Sequence, residues 1–271
     1  MSKRTLAHLA ILGLLALYML PIAWMLSTSL KPDDELFTEQ IRWIPNRIAW
    51  ENYQQALATF PFGLYLRNTV LIAGLTVVGA LLSCLPPAYA FARMRWRGRN
   101  FWFWVMLSTL MLPPQVTLLP VFLLFRTLGW VDTFLPLIVP AFLGNAFLIF
   151  MLRQFFLTLP QELIDAARLD GCSEWAILWR LVAPMSKPAV ATVALFSFVW
   201  AWTDFMNPLI YLNDSSKFTL AVGLQYFLGR HGEQWNLLMA AATVVTAPLV
   251  LLFLLTQRAY VRGITLTGLK G

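Results

Sequence analysis

The chain has 271 residues, of which 59% are hydrophobic and only 12% charged, and its formal net charge is +7. A soluble domain averages about 25% charged residues, so this chain lacks the means to cover a water-facing surface, and a mean hydropathy of +0.67 points to lipid as its main solvent. The apolar content excludes disorder, and two cysteines in different surroundings, Cys84 and Cys172, exclude a disulfide scaffold.

A helix needs about 20 apolar residues to cross a bilayer core, and six stretches qualify. The first runs from about Leu9 to Leu30, behind Lys3 and Arg4. It is longer than the core of a secretory signal and no small-residue cleavage site follows, which predicts a retained first helix. The second runs from about Val70 to Ala92 and the third from about Phe101 to Phe125. Pro113, Pro114 and Pro120 remove backbone donors from the third, which predicts a helix that is broken or buried in protein. The fourth spans Leu135 to Phe156, the fifth Ala189 to Leu212 and the sixth Leu238 to Thr256. No repeat, low-complexity tract or linker divides the chain. The expectation is one all-α integral membrane domain over residues 1–271, with core spans over about 66–257 and a tail at 258–271.

The longest loop on the predicted cytoplasmic side, residues 158–188, joins the fourth and fifth spans. Thr158 and Gln161 have the spacing of a capping box, and Pro160 suits a first helical turn. Glu162 and Asp165 lie early, where the helix dipole favours negative charge. Gly171 is placed to end that helix in the left-handed region, Ser173 to cap a second short helix, and Pro184 to stop it. The product is a helix–Gly–helix hairpin. Its small residues Ala166, Ala167 and Gly171 are expected on one flank, open to close approach by another protein. An interfacial helix lying on lipid would carry Lys and Arg opposite bulky apolar residues, whereas this one is acidic and Ala-rich.

Charge placement gives the orientation. With the N-terminus inside and six crossings, the cytoplasmic side holds 13 basic and four acidic residues (+9), and the outside seven basic and nine acidic (−2), which recovers the +7. The excess of Lys and Arg inside satisfies the positive-inside rule. Arg93, Arg95, Arg97 and Arg99 carry most of the decision. A nucleic-acid role for that tract is rejected, because it is wedged between two spans; contact with lipid headgroups is its plainer use.

Catalytic chemistry is not visible. There is no G-x-x-x-x-G-K-[ST] phosphate loop, and His8 and His231 form neither a metal-ligand spacing nor a catalytic triad. Asp204 is the one acidic residue near a span interior. With Trp200, Trp202 and Asn207 beside it, and Asn145 in the fourth span, it is a candidate lining of a polar passage. The plainer role for Asp204 is to cap a helix break before Pro208.

The segment Asp165-Ala-Ala-Arg-Leu-Asp170-Gly171, with Leu181-Val-Ala-Pro184 downstream, resembles the "EAA" loop of type I ABC importer permeases. The resemblance extends through Pro21-Ile-Ala-Trp-Met-Leu-Ser-Thr-Ser-Leu-Lys-Pro32, Ala88-Tyr-Ala-Phe-Ala-Arg93, Leu152-Arg-Gln-Phe-Phe156, Trp202-Thr-Asp-Phe-Met-Asn-Pro208, Gln257-Arg-Ala-Tyr-Val-Arg-Gly263 and Gly268-Leu-Lys-Gly271. Together these are similar to the second permease subunit of carbohydrate importers of the maltose-transporter type. Asp165 stands where that family has Glu, and Cys172 where it usually has Ala.

The resemblance implies the type I importer fold and a loop that docks on a separate ATPase through Asp165, Ala166, Ala167, Asp170 and Gly171; Glu162 is added from the capping argument. The plain reading of the tail, with Arg258, Arg262 and Lys270, is a membrane-proximal anchor; the resemblance implies instead a tail reaching the ATPases through Thr265, Gly268, Lys270 and Gly271. The implied partners are a second homologous permease, two ATPase subunits, an extracytoplasmic sugar-binding protein and membrane lipid, with no nucleic acid. No cofactor is expected in this chain, ATP and Mg residing on the ATPase. The implied location is a bacterial or archaeal plasma membrane, with both termini cytoplasmic. An ion-coupled secondary transporter for a small polar solute and an integral-membrane enzyme are the alternatives. The first would need buried charges in several spans, and the second paired carboxylates or a nucleophile with its base at membrane depth.

Overall fold

A computed structural model describes residues 3–37, 42–228 and 234–268, with side chains described from Arg4 to Gln257 within those ranges. The described residues are helical, in chain order α1 Lys3–Ser29, α2 Glu51–Ala58, α3 Phe62–Arg93, α4 Arg99–Ser108, α5 Pro114–Thr127, α6 Leu135–Ile138 and α7 Ala146–Phe156. There follow α8 Gln161–Leu169, α9 Glu174–Ile177, α10 Ala183–Met185, α11 Lys187–Thr203, α12 Met206–Tyr211, α13 Leu220–Gly223 and α14 Trp235–Gly268. Among the described residues, four stretches are long and apolar enough to cross a membrane: Arg4–Ser29, Phe62–Arg93, Leu135–Phe156 and Trp235–Gln257. Two bent helix pairs raise the number to six.

The third span is broken as its prolines require. Arg99–Met111 and Pro114–Thr127 meet at 96° across Pro113, which is extended. The second span starts eight residues before the predicted Val70, because the polar groups at its outer end find partners. Asn68 donates to the carbonyls of Ser216 and Phe218 at 2.9 and 3.0 Å, and Thr69 accepts from Leu220 N–H at 2.9 Å. The fourth span is interrupted: a 3-10 turn over Val139–Leu143 leads to Gly144 at φ +90, and Asn145 restarts the helix as N-cap of α7. Asn145 accepts from Leu148 N–H at 3.1 Å.

The fifth span departs from expectation. Its continuous helix, α11, ends at Thr203 instead of reaching Leu212, since Asp204 is extended (ψ 114) and takes up the amide of Asn207. The helical run before it also differs. It ends at Met185, one residue past Pro184; a π-helical turn over Leu178–Val182 precedes the proline, and the chain bends by 86° beyond it. Proline supplies no N–H, and a wider turn ahead of it accommodates the lost ladder bond. The bend falls at Ser186 (φ −102, ψ 22).

The chain forms two compact units. One comprises Met1–Gly63 with Val222–Leu251, the other Leu64–Ala221 with Leu252–Gly271. In the first, α1 exposes its apolar side chains from Leu6 to Leu26 and ends in a turn tied by α2, where Asn52 Nδ2 donates to the carbonyls of Ser29 and Lys31. In the second, Tyr89 and Leu85 of α3, Leu152 and Phe156 of α7, Ile164 of α8, Val182 and Val193 share one apolar core.

The second unit also carries a polar tie in its loops. Asp132, a non-glycine residue at φ +61, accepts from the amides of Asn213 and Asp214 at 3.0 Å each and pairs with Lys217 at 2.7 Å. The Lys217 ammonium, with those two amides, holds the Asp132 carboxyl at about 2 against an ordinary 3.8. A depressed carboxylate stabilises the fold fully above its ordinary value and stops doing so as pH falls through its folded value. Amide protection at Asn213 and Asp214, corrected for intrinsic exchange, is therefore expected to hold down to about pH 4 and to fall toward pH 2. Protection that is already lost at pH 5 would contradict the tie.

Candidate functional site

The site grows from the loop between α7 and α11. Thr158, predicted to cap α8, lies in the turn that follows α7, where its hydroxyl donates to Phe155 O at 2.7 Å. The capping box does not form. Pro160 is the N-cap, with extended backbone and no side-chain cap, and α8 begins at Gln161. The turn is held by Arg93, the last residue of α3. Its guanidinium donates to Phe156 O at 2.9 and 2.5 Å, to Leu159 O, and to Gln161 Oε1 at 2.7 Å.

The far end of α8 closes as a Schellman motif. Cys172 N–H bonds to Ala167 O and Gly171 N–H to Arg168 O, each at 3.0 Å, with Gly171 at φ +78. Ser173 then caps α9 by accepting from Ala176 N–H at 3.3 Å. Both features match the sequence expectation.

Arg168 joins the two arms across this turn. It donates to Asp165 at 3.1 Å, to Glu174 at 2.8 Å, and to the Arg93 carbonyl at 3.4 Å. The Glu174 carboxylate holds the Arg168 guanidinium above its ordinary value. Tyr89 of α3 donates to the same carboxylate. The hairpin is thus clamped to the end of α3 by Arg93, Tyr89 and Glu174. Sequence reasoning used Arg93 for orientation only and gave Tyr89 and Glu174 no role. The signal available was the quoted Ala88–Arg93 segment, which places a phenol and a guanidinium four residues apart on one helix face.

The predicted docking residues divide. Ile164 is buried, and Ala167 packs partly against the core. Ala167 therefore does not share an open flank with Ala166 and Gly171, because the face it occupies three residues after Ile164 turns inward. Glu162, Asp165, Ala166, Asp170 and Gly171 are exposed. Asp165 is engaged within the hairpin, by Gln161 Nε2 at 3.0 Å as well as Arg168. Leu163 and Leu169 join the exposed face, and Leu169 is 89% exposed. An apolar side chain held that far into solvent beside small and acidic residues forms a surface suited to cover by another protein.

The tail residues stand apart from this description. Thr265 and Gly268 lie in α14, whose side chains beyond Gln257 are not described, and Lys270 and Gly271 lie outside the described residues.

Of the candidate passage residues, the structure joins Asp204 and Asn207 but not Trp202 or Asn145. Asp204 faces a cavity of about 150 Å³ lined with Trp200, Thr76, Leu137, Pro208 and Thr219. Its carboxylate also receives Asn207 through the backbone at 3.2 Å and through Nδ2 at 2.8 Å, the helix-break role. Trp202 is buried and stacks on Phe198 at 5.2 Å, so the indole at the cavity is that of Trp200. Asn145 is occupied in capping α7.

Three comparisons with known proteins bear on this arrangement. Residues 76–266 match the family described as "Binding-protein-dependent transport system inner membrane component". The arabinooligosaccharides transport system permease protein AraQ of Halalkalibacterium halodurans is 34% identical over 256 residues, covering 93% of this chain and 91% of that protein. The sn-glycerol-3-phosphate transport system permease protein UgpE of Yersinia pestis is 32% identical over 259 residues, covering 93% and 91%. A solved bacterial ABC transporter involved in the import of the acidic polysaccharide alginate superposes with a TM-score of 0.83, at 24% identity, over 95% of this chain and 98% of that one.

Proposed function

We propose a function from one premise: the chain belongs to the family of binding-protein-dependent transport system inner membrane components. It is a multi-pass inner-membrane permease subunit of an ABC importer, without a catalytic centre of its own. By this reading the subunit imports a sugar, in the di- or oligosaccharide range, by alternating access. Relatives named for arabino-oligosaccharides and the wider resemblance to carbohydrate permeases support the substrate class. The distribution of Lys and Arg supports a cytoplasmic position for both termini.

The observation that carries the coupling role is the clamped hairpin with its outward Ala166, Leu169 and Asp170. A separate ATPase, holding ATP and Mg, docks on that face through Glu162, Asp165, Ala166, Asp170 and Gly171. Ala167 acts from beneath, by packing the helix on the core. The C-terminal residues Thr265, Gly268, Lys270 and Gly271 supply a second contact to the ATPases. A second permease completes the pathway, and an extracytoplasmic binding protein delivers the sugar. Asp204 and Asn207, with Trp200 in place of the buried Trp202, form the polar edge of the passage; Asn145 contributes by holding the interrupted fourth span.

Reconstitution in liposomes tests this directly. The chain with its co-expressed partners is expected to take up an arabino-oligosaccharide or other neutral oligosaccharide only with ATP inside and binding protein outside. ATP-independent uptake by the isolated chain would overturn the proposal.

A further inference from the structure

The first unit holds a site that the transport reading leaves unused. At the C-terminal end of α1, Lys31 is 3% exposed and Thr28 is 6% exposed. Both line a cavity of about 160 Å³, together with Trp24, Trp235 and Met239. The Lys31 ammonium lies 4.2 Å from the centre of the Trp24 ring. None of the ion pairs among the described residues includes it. Glu35 acts on Lys31 through space only, and its Oε2 is engaged by Asn46 N–H at 3.1 Å. Burial pushes the ammonium below its ordinary value. The Thr28 hydroxyl is buried with no hydrogen-bond partner among the described residues.

Each of these costs free energy as it stands. A buried ammonium that makes no ion pair and a buried hydroxyl without a partner are both rare in folded proteins, and among the described residues they meet here at one cavity. The backbone that presents them is fixed. The Lys31 carbonyl accepts from Asn52 at 2.8 Å and from Asn236 at 3.4 Å, and both asparagines are buried. An apolar cavity of about 150 Å³ accommodates a benzene, so the space takes one six-membered ring or a group of that size.

We propose that this cavity binds a small oxyanion, a carboxylate or phosphate on a ring-sized, hydroxylated carrier, with Lys31 pairing the charge and Thr28 donating to it. The two indoles contribute flat apolar walls of the kind that carbon-bound hydrogens of such a carrier pack against. Two sources carry this chemistry, a soluble anionic sugar or polyol and the headgroup of an anionic phospholipid. The inference uses only residues of the first unit and stands whether or not the sugar assignment does.

The test is equilibrium binding to the assembled transporter in phosphatidylcholine nanodiscs, with glucuronate and glycerol 3-phosphate as probes and neutral glycerol and glucose as competitors. Saturable binding of an oxyanion probe that the neutral competitors do not displace is expected. Lys31→Met should weaken it at least about tenfold, Thr28→Val about fivefold, and Lys31→Arg should retain it. Thermal unfolding of each variant complex checks that it is folded. A phosphatidylglycerol arm separates the sources. Displacement of the soluble probes by that lipid, together with its retention through delipidation in wild type but not in Lys31→Met, assigns the site to a headgroup. Failure of that lipid to displace them assigns it to a soluble anion. Binding unchanged in Lys31→Met, displacement by neutral glycerol or glucose, or no saturable oxyanion binding in either arm would overturn the proposal.

Discussion

Arg93→Ala is expected to leave a transporter that assembles and hydrolyses ATP at its basal rate but loses substrate-stimulated hydrolysis and uptake by about 100-fold. The guanidinium serves the carbonyls of Phe156 and Leu159 and the Gln161 side chain, and so fixes where α8 starts relative to α3. Charge-assisted hydrogen bonds contribute about 1.5–3 kcal/mol each, and every ~1.4 kcal/mol is tenfold in an equilibrium. Losing even two of these bonds is enough to make the clamped pose a minor state. The helix α3 itself is untouched, since Arg93 is its last residue and the substitution removes nothing from its ladder. Arg93→Lys discriminates position from charge. An ammonium keeps the favourable charge at the helix C-terminus but cannot reproduce the planar fork, so only partial recovery is expected. Transport assays in proteoliposomes, normalised to the amount of assembled complex, read both outcomes. Full stimulation in Arg93→Ala would show that the hairpin is held by its apolar contacts alone.

Gly171→Val carries the second large effect. At φ +78 a β-branched residue is a genuine outlier, and the left-handed region costs an ordinary L-residue about 1–2 kcal/mol. No atom lies within 4 Å of a Cβ built on Gly171, so the loss comes from the backbone and not from a clash inside this chain. The Schellman bonds would open, and with them the angle between α8 and α9 that Arg168 bridges. Uptake is expected to fall by at least tenfold, with the complex still assembled. Gly171→Asn separates two causes that glycine combines. Asparagine accepts the left-handed conformation, so recovery in Asn assigns the residue to the turn. Equal loss in Val and Asn assigns it to a partner surface that tolerates no side chain.

The spans were legible because their apolar runs are long and carry at most one charged residue each. The breaks were legible only where proline marks them. Pro113 and Pro114 announced the bend in the third span, whereas the end of α11 at Thr203 came from Asp204 recruiting the Asn207 amide, a local bond that hydropathy does not register. Pro184 marked the end of its helical run, at Met185, to within one residue, but not the π-turn over Leu178–Val182 ahead of it.

In the hairpin, Gly171 and Ser173 did as their residue types dictate, because both act through their own backbone neighbours. Thr158 and Gln161 did not. The capping box competes with the last turn of α7 and with Arg93, which lies more than 60 residues away in sequence. The inward turn of Ala167 and the clamp by Tyr89 are tertiary outcomes of the same kind. They depend on where α3 ends, and no spacing within the loop carries that information.

The central claim is that the exposed face of α8 is where a separate ATPase docks. A photo-reactive benzoyl-phenylalanine at Leu169, which is 89% exposed, tests it in the assembled transporter. The same group at Leu128, exposed after α5 and placed on the opposite side of the membrane by the charge distribution, serves as control. Illumination is expected to join Leu169→benzoyl-phenylalanine to the ATPase subunit, with the yield changing on nucleotide addition, and to give no such adduct from Leu128. Adducts from Leu169 to lipid alone, with the ATPase unmodified in every nucleotide state, would contradict the docking role of this hairpin.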